Sequence, residues 1–121
     1  MVRSRSPVQF RVSAQMNIQM VKVVTTVPAS HADAVRKAAG AAAGLFGNYQ
    51  DCSFSVRGVG RFTPLSGANP VIGEIGKPES VEEEQIFFTC PKEIAEAVVA
   101  AIKKAHPYEI PVIDVYLLET L

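Results

Sequence analysis

Gly47-Asn48-Tyr49-Gln50-Asp51-Cys52-Ser53-Phe54-Ser55-Val56-Arg57-Gly58-Val59-Gly60-Arg61-Phe62 decides how the rest of the chain is read. Turn-forming Gly and Asn come first, and then Cys52, Phe54 and Val56 alternate with Ser53, Ser55 and Arg57. A period of two is that of a strand with one face in the core. The alternation predicts Cys52, Phe54 and Val56 facing inward, with Ser53, Ser55 and Arg57 facing outward, in a strand that continues to Thr63. Gly58 and Gly60 inside the run predict a bulge or a close backbone approach.

Upstream, Val21, Val23, Thr25 and Val27 alternate with Lys22, Val24 and Thr26, a β-branched strand pattern that Pro28 ends. Ser30-His31-Ala32-Asp33 has the form of a helix start, with Asp33 at the electropositive end. Ala32, Val35, Ala39, Ala42 and Ala43 then form one helical face of mostly small side chains, and Gly44 or Gly47 is the expected stop. Downstream, residues 64 to 80 carry turn formers throughout. A third strand is expected from Glu83 to Cys90, with Ile86, Phe88 and Cys90 on one face. Pro91 suits a helix start, and Ile94, Val98, Ala101, Ile102 and Ala105 form the helix's apolar stripe. His106-Pro107 stops this helix, and a last strand follows from Val112 to Leu118.

The order is strand, helix, strand, long connection, strand, helix, strand. The expected fold class is therefore α+β: a ferredoxin-like βαββαβ sandwich, with an antiparallel four-stranded sheet and both helices on one face. The other face is expected to carry Lys22, Val24, Thr26, Ser53, Ser55, Arg57, Gln85, Phe87, Thr89, Asp114 and Tyr116. That mixture is too apolar for water and too polar for a core, as a subunit interface is.

The chain has 121 residues, 48% of them hydrophobic, and a formal net charge of zero. Three of its twelve basic side chains, Arg3, Arg5 and Arg11, stand in an acid-free leader, which leaves nine against twelve acidic ones in the remainder. A weakly acidic domain is a poor partner for nucleic acid. No apolar run approaches the roughly 18 residues of a membrane span, and the leader lacks the apolar core of a secretory signal. Residues 1–19 are expected to be a disordered or mis-started arm and residues 20–121 a single domain, with a cytoplasmic setting. Cys52 and Cys90 fit no metal spacing and read as small buried hydrophobes.

The pattern Gly-Asn-Tyr-x-x-Cys-Ser-Phe-x-x-x-Gly-x-Gly-x-Phe-x-Pro from Gly47, then Gly-x-Asn-Pro-x-Ile-Gly-x-x-Gly from Gly67, then Glu79 and Glu82, then His106-Pro107-Tyr108-Glu109-Ile110-Pro111 resembles a known domain. It is similar to the CutA-like or PII-like domain inserted in bacterial Nif-three-like proteins (NGG-one-interacting factor three, YqfO type), over about residues 20 to 121. The resemblance implies a ferredoxin-like fold whose relatives assemble as trimers through sheet faces and edges. Full-length members flank this insert with two halves of a dinuclear-metal domain. Those His and Glu ligands have no counterpart in a chain whose two histidines are His31 and His106. Ile110 stands where an acidic residue is usual, which weakens a paired-carboxylate site.

The candidate ligand-binding residues are Asn48, Tyr49, Asn69, Gly73, His106, Tyr108 and Glu109, in a cleft lined by the glycine-containing turns and the His-Pro-Tyr-Glu turn. His106 and Glu109 are the candidate ligands of a divalent metal ion, and no catalytic residue is assigned. The bland alternative makes His106 a cap of the last helix carbonyls and Tyr108 a packing residue. Glu82-Glu83-Glu84 reads as a charged strand edge that discourages unwanted pairing. The expected function is a non-enzymatic homo-oligomeric regulatory or sensor module, trimer before dimer, that binds a small molecule or metal ion. A protein-interaction module and, third, a metal-dependent hydrolase are the alternatives.

Overall fold

A computed structural model describes residues 18–119 and 121; the leader expectation lies outside the described residues except at Ile18 and Gln19. Strand β1 runs Met20–Pro28 and is followed by a 3-10 turn, Ala29–His31, and helix α1, Ala32–Ala43. Two-residue strands β2, Leu45–Phe46, and β3, Tyr49–Gln50, form a small hairpin of their own. Strands β4, Phe54–Phe62, and β5, Glu79–Pro91, flank the long connection, and helix α2, Lys92–Ala105, leads to β6, Ile113–Leu117. The main sheet has the order β4-β5-β1-β6 with every pairing antiparallel. This is the expected ferredoxin-like arrangement.

Val21, Val23 and Val27 from β1, with Ile86, Phe88 and Cys90 from β5, pack against Ala32, Val35 and Ala39 of α1 and Ala95, Val98 and Ile102 of α2. The small face of α1 permits the close approach its composition predicts. Cys90 is buried here and its thiol is pushed up by desolvation, whereas Cys52 is exposed, contrary to expectation.

Three local expectations are corrected. Helix α1 starts without a capping box: Ser30 Oγ pairs with His31 Nδ1, and Asp33 pairs with Arg36. The stop at Gly44 does hold, with φ of 75°. The β4–β5 ladder runs in unbroken register from Phe54↔Phe87 to Phe62↔Glu79, so Gly58 and Gly60 mark no bulge.

The third correction reverses the faces of β4. Phe54 is registered opposite Phe87, and their rings lie 6.2 Å apart. Ser55 accepts a hydrogen bond from Arg36 of α1, and Arg57 pairs with Glu84, which Arg36 also holds. Phe54 and Val56 therefore face away from the helices, and Ser55 and Arg57 face toward them. The physical reason is coverage: β4 is the outer strand, and α1 reaches it with the polar end of Arg36 and not with an apolar stripe.

Candidate functional site

The site is assembled where three segments end together. At the end of α2, His106 leaves helical geometry (φ −78°, ψ 134°) while its N–H still closes the last turn on the Ile102 carbonyl at 2.8 Å. The β1–β6 ladder stops at Thr25↔Ile113. Just beyond it, His106 Nε2 lies 2.7 Å from the Thr26 carbonyl, and Thr25 Oγ1 donates to the Val112 carbonyl at 2.8 Å. The Tyr108 N–H donates to His106 Nδ1 at 3.1 Å. A backbone N–H can only donate, so Nδ1 is the acceptor and the ring proton sits on Nε2, donated to Thr26. Burial dominates and holds His106 below the ordinary imidazole range, opposed by the bond to Thr26 and the Glu83 charge. His106 thus joins the turn to β1 instead of capping helix carbonyls.

Tyr108 lies over this histidine, ring centroids 5.1 Å apart, and meets Phe62 edge-on at 5.8 Å. Its hydroxyl donates to Glu83 Oε2 at 2.8 Å. Desolvation, then the bond to Glu83, pushes the phenol well above its usual range, so it stays a donor. Glu83 is only 7% exposed. It lies on β5 opposite in phase to Ile86 and Phe88, and its carboxylate occupies the space that a Cβ on Gly60 would need. The glycine in β4 therefore serves a close approach, one of the two readings its position allowed.

The long connection closes the site. Gly76 N–H bonds the Pro64 carbonyl at 2.7 Å, and Asn69 N–H bonds Glu109 Oε1 at 3.0 Å, tying the connection to the His-Pro-Tyr-Glu turn. Gly73 holds φ of 98°, which glycine adopts without strain. Between connection, turn and sheet lies a half-open cavity of about 350 Å³, with Phe62, Pro70, Val71, Ile110 and Val112 among its apolar lining and Thr26, Arg61, Glu83, Tyr108 and Glu109 among its polar lining. That size and mixture suit a small organic ligand.

Of the sequence candidates, Tyr108 and Glu109 line the cavity, while Asn69, Gly73 and His106 support it. Asn48 and Tyr49 do not join them. They sit in the β2–β3 hairpin, beside a separate hollow formed by Lys22, Phe46, Cys52, Phe54, Phe87 and Thr89 toward the other end of the sheet. The His106–Glu109 metal pair finds no support in this geometry, because both ring nitrogens are engaged within the chain. Among the described residues no group of three or more His, Cys, Asp or Glu side chains gathers to hold an ion. Glu83 was missed, since within Glu82-Glu83-Glu84 it looks like surface charge. Counting by twos from Ile86 would have put it on the face opposite the core, level with Phe87.

No protein-family model matches the chain. Among curated proteins it is 43% identical over 99 residues to the "GTP cyclohydrolase 1 type 2 homolog" of Bacillus subtilis, covering 81% of this chain and 26% of that protein. The protein of the same description in Mycobacterium tuberculosis is 42% identical over 98 residues, with 80% and 26% covered. Among solved structures, a Bacillus cereus protein related to NIF3 superposes with a TM-score of 0.72 at 42% identity, covering 85% of this chain and 26% of that one. CutA1 from Pyrococcus horikoshii superposes at 0.61 with 20% identity, and there 84% and 85% of the two chains are covered. Sheet order, the one-sided helices and this last match define a ferredoxin-like domain of the CutA kind. Over most of its length the chain is thus similar to a segment of Nif-three-related proteins. It spans about a quarter of the length of the curated relatives it matches.

Proposed function

We propose that this domain is a non-enzymatic, homo-oligomeric regulatory or sensor module of the cytoplasm that binds a small organic ligand in the cavity between the long connection and the His-Pro-Tyr-Glu turn. The observation that carries the reading is Glu83, a buried carboxylate presented by Tyr108 at the wall of a largely apolar hollow. Burying such a group is unfavourable unless it is compensated, and a ligand-recognition role accounts for keeping it. Assembly is supported by Phe54, Val56 and Tyr116, which stay exposed on the sheet face away from the helices. Sister copies would cover that face, and a trimer is the favoured form.

The test is thermal denaturation against a broad metabolite panel. A ligand at a hundred times its dissociation constant adds about 2.7 kcal/mol and raises the midpoint by several degrees. A panel in which nothing shifts the midpoint counts against ligand sensing. The alternative, an interaction module that docks on a larger protein, is favoured by the same exposed face and is tested by whether Phe54→Glu abolishes capture of a partner.

A further inference from the structure

We propose that the cavity beside Glu83 selects ligands bearing an organic cation, a primary ammonium or amidinium group on an apolar body. This inference rests on the ligand-binding reading above and names the chemistry of its ligand.

Glu83 Oε2 is taken by the Tyr108 hydroxyl. Oε1 has no hydrogen-bond donor within the chain among the described residues. None of the sealed side-chain polar atoms there lacks a partner, and Oε1 lies against Gly60, which with Glu83 lines both this cavity and the adjoining hollow beside Val56 and Gln85. Arg36 holds Asp33 and Glu84, Arg57 lies against Glu82 and Glu84, and Arg61, which also lines the cavity, makes no ion pair with Glu83. Among the described residues no ion pair reaches Glu83. The carboxylate is thus nine-tenths buried, seated by the missing side chain at Gly60, fixed at one oxygen and uncompensated in charge at the other.

A buried charge of this kind favours an opposite charge brought in from solution, and a charged donor on a carboxylate makes a stronger bond than a neutral one. The walls choose the remainder of the molecule. Phe62, Pro70, Val71, Ile110 and Val112 offer van der Waals surface and no hydrogen bonds from their side chains, so the cationic head belongs on a body of few polar atoms. A carboxylate or phosphate head placed at Glu83 would meet that carboxylate and Glu109 with like charge, with Arg61 as a cation of the same lining.

The experiment uses the protein in its native assembly and four probes of similar shape: benzylammonium, benzamidinium, benzyl alcohol and benzoate. Backbone amide NMR shifts at Gly60, Tyr108 and Val112 report binding. The two cations are expected to saturate these shifts, to bind at least tenfold more tightly than benzyl alcohol, and to lose at least tenfold in affinity in Glu83→Gln. Tyr108→Phe, which frees Oε2, provides a second variant should the first not fold, and is expected to change cation affinity without admitting benzoate. Equal binding of the alcohol or benzoate, or undiminished cation binding in Glu83→Gln, overturns the cation inference and leaves the cavity as a ligand site. No response at these amides to any of the four probes overturns the cation inference. Failure of the metabolite panel as well removes the ligand-binding reading itself.

Discussion

His106 is held neutral by its surroundings, and this has a sign. Its folded-state pKa lies below the ordinary value of 6.5, with burial as the main cause, the His31 charge adding to it and the Thr26 bond and Glu83 charge opposing it. Well above pH 6.5 both folded and unfolded imidazoles are neutral. As pH falls through 6.5 the unfolded chain takes up the proton first, so stability is lost until the folded-state pKa is also passed. Denaturation midpoints measured between pH 7.5 and 5 are expected to fall in the wild type, and this component is expected to be absent in His106→Ala. That variant also leaves the Thr26 carbonyl without its donor, at a cost of about 1–3 kcal/mol at neutral pH. At Gly60, replacing a strand glycine by alanine ordinarily gains up to about 1 kcal/mol. Here the new methyl group meets the Glu83 carboxylate, so Gly60→Ala is expected to lower the thermal midpoint and to shift the Tyr108 resonances.

Strand β4 teaches how alternation can be read with the wrong face inward. The period over Cys52 to Arg57 is real, but period alone does not say which side the helices cover. On β1 and β5 the apolar set faces the helices, because these central strands lie under Val35, Val98 and Ile102. On the outer strand β4 the helix side is served by Arg36, and its apolar set turns to the other face. Substitution distinguishes the two environments. Ile102→Val, at a fully buried position, is expected to cost about 0.5–1.5 kcal/mol in chemical denaturation. Val59→Ala, on the helix side of β4 but half exposed, is expected to stay within about 0.5 kcal/mol. A larger loss at Val59 would mean that the helix side of β4 is more closely covered than Arg36 alone provides. The same distinction explains Cys52, which lies before β4 begins and is exposed, while Cys90 is sealed. A thiol reagent is expected to label Cys52 in the native protein and Cys90 only after unfolding.

With β4 reversed, the sheet face away from the helices gains the exposed Phe54 and Val56 beside exposed Tyr116 and half-buried Phe87, while Val24 on that face is itself buried, contrary to the expectation that it lies open. The face is therefore more apolar than the sequence reading made it, which strengthens the expectation of self-association. Phe54→Glu places a charge on this surface at the outer strand, away from the cavity lining. Sedimentation is expected to show the wild type as an oligomer and the variant as a 13.0 kDa species at micromolar concentration, with the helix–sheet core intact by circular dichroism. A wild type that is already monomeric would remove the assembly from the proposed function.

By itself the sequence determined the βαββαβ order, the core strands and helices, the stop at Gly44 and the end of the second helix at the His-Pro-Tyr-Glu turn. These follow from periodicity, glycine and proline chemistry, which act over a few neighbouring residues. Tertiary structure alone decided which face of β4 is covered, that Asn48 and Tyr49 stand apart from Asn69 and His106, and that Glu83 lies buried against Tyr108. Each of these depends on which segments of distant sequence meet. Charge and alternation look the same in the sequence whether a carboxylate points into water or, across 25 residues of chain, finds a phenol.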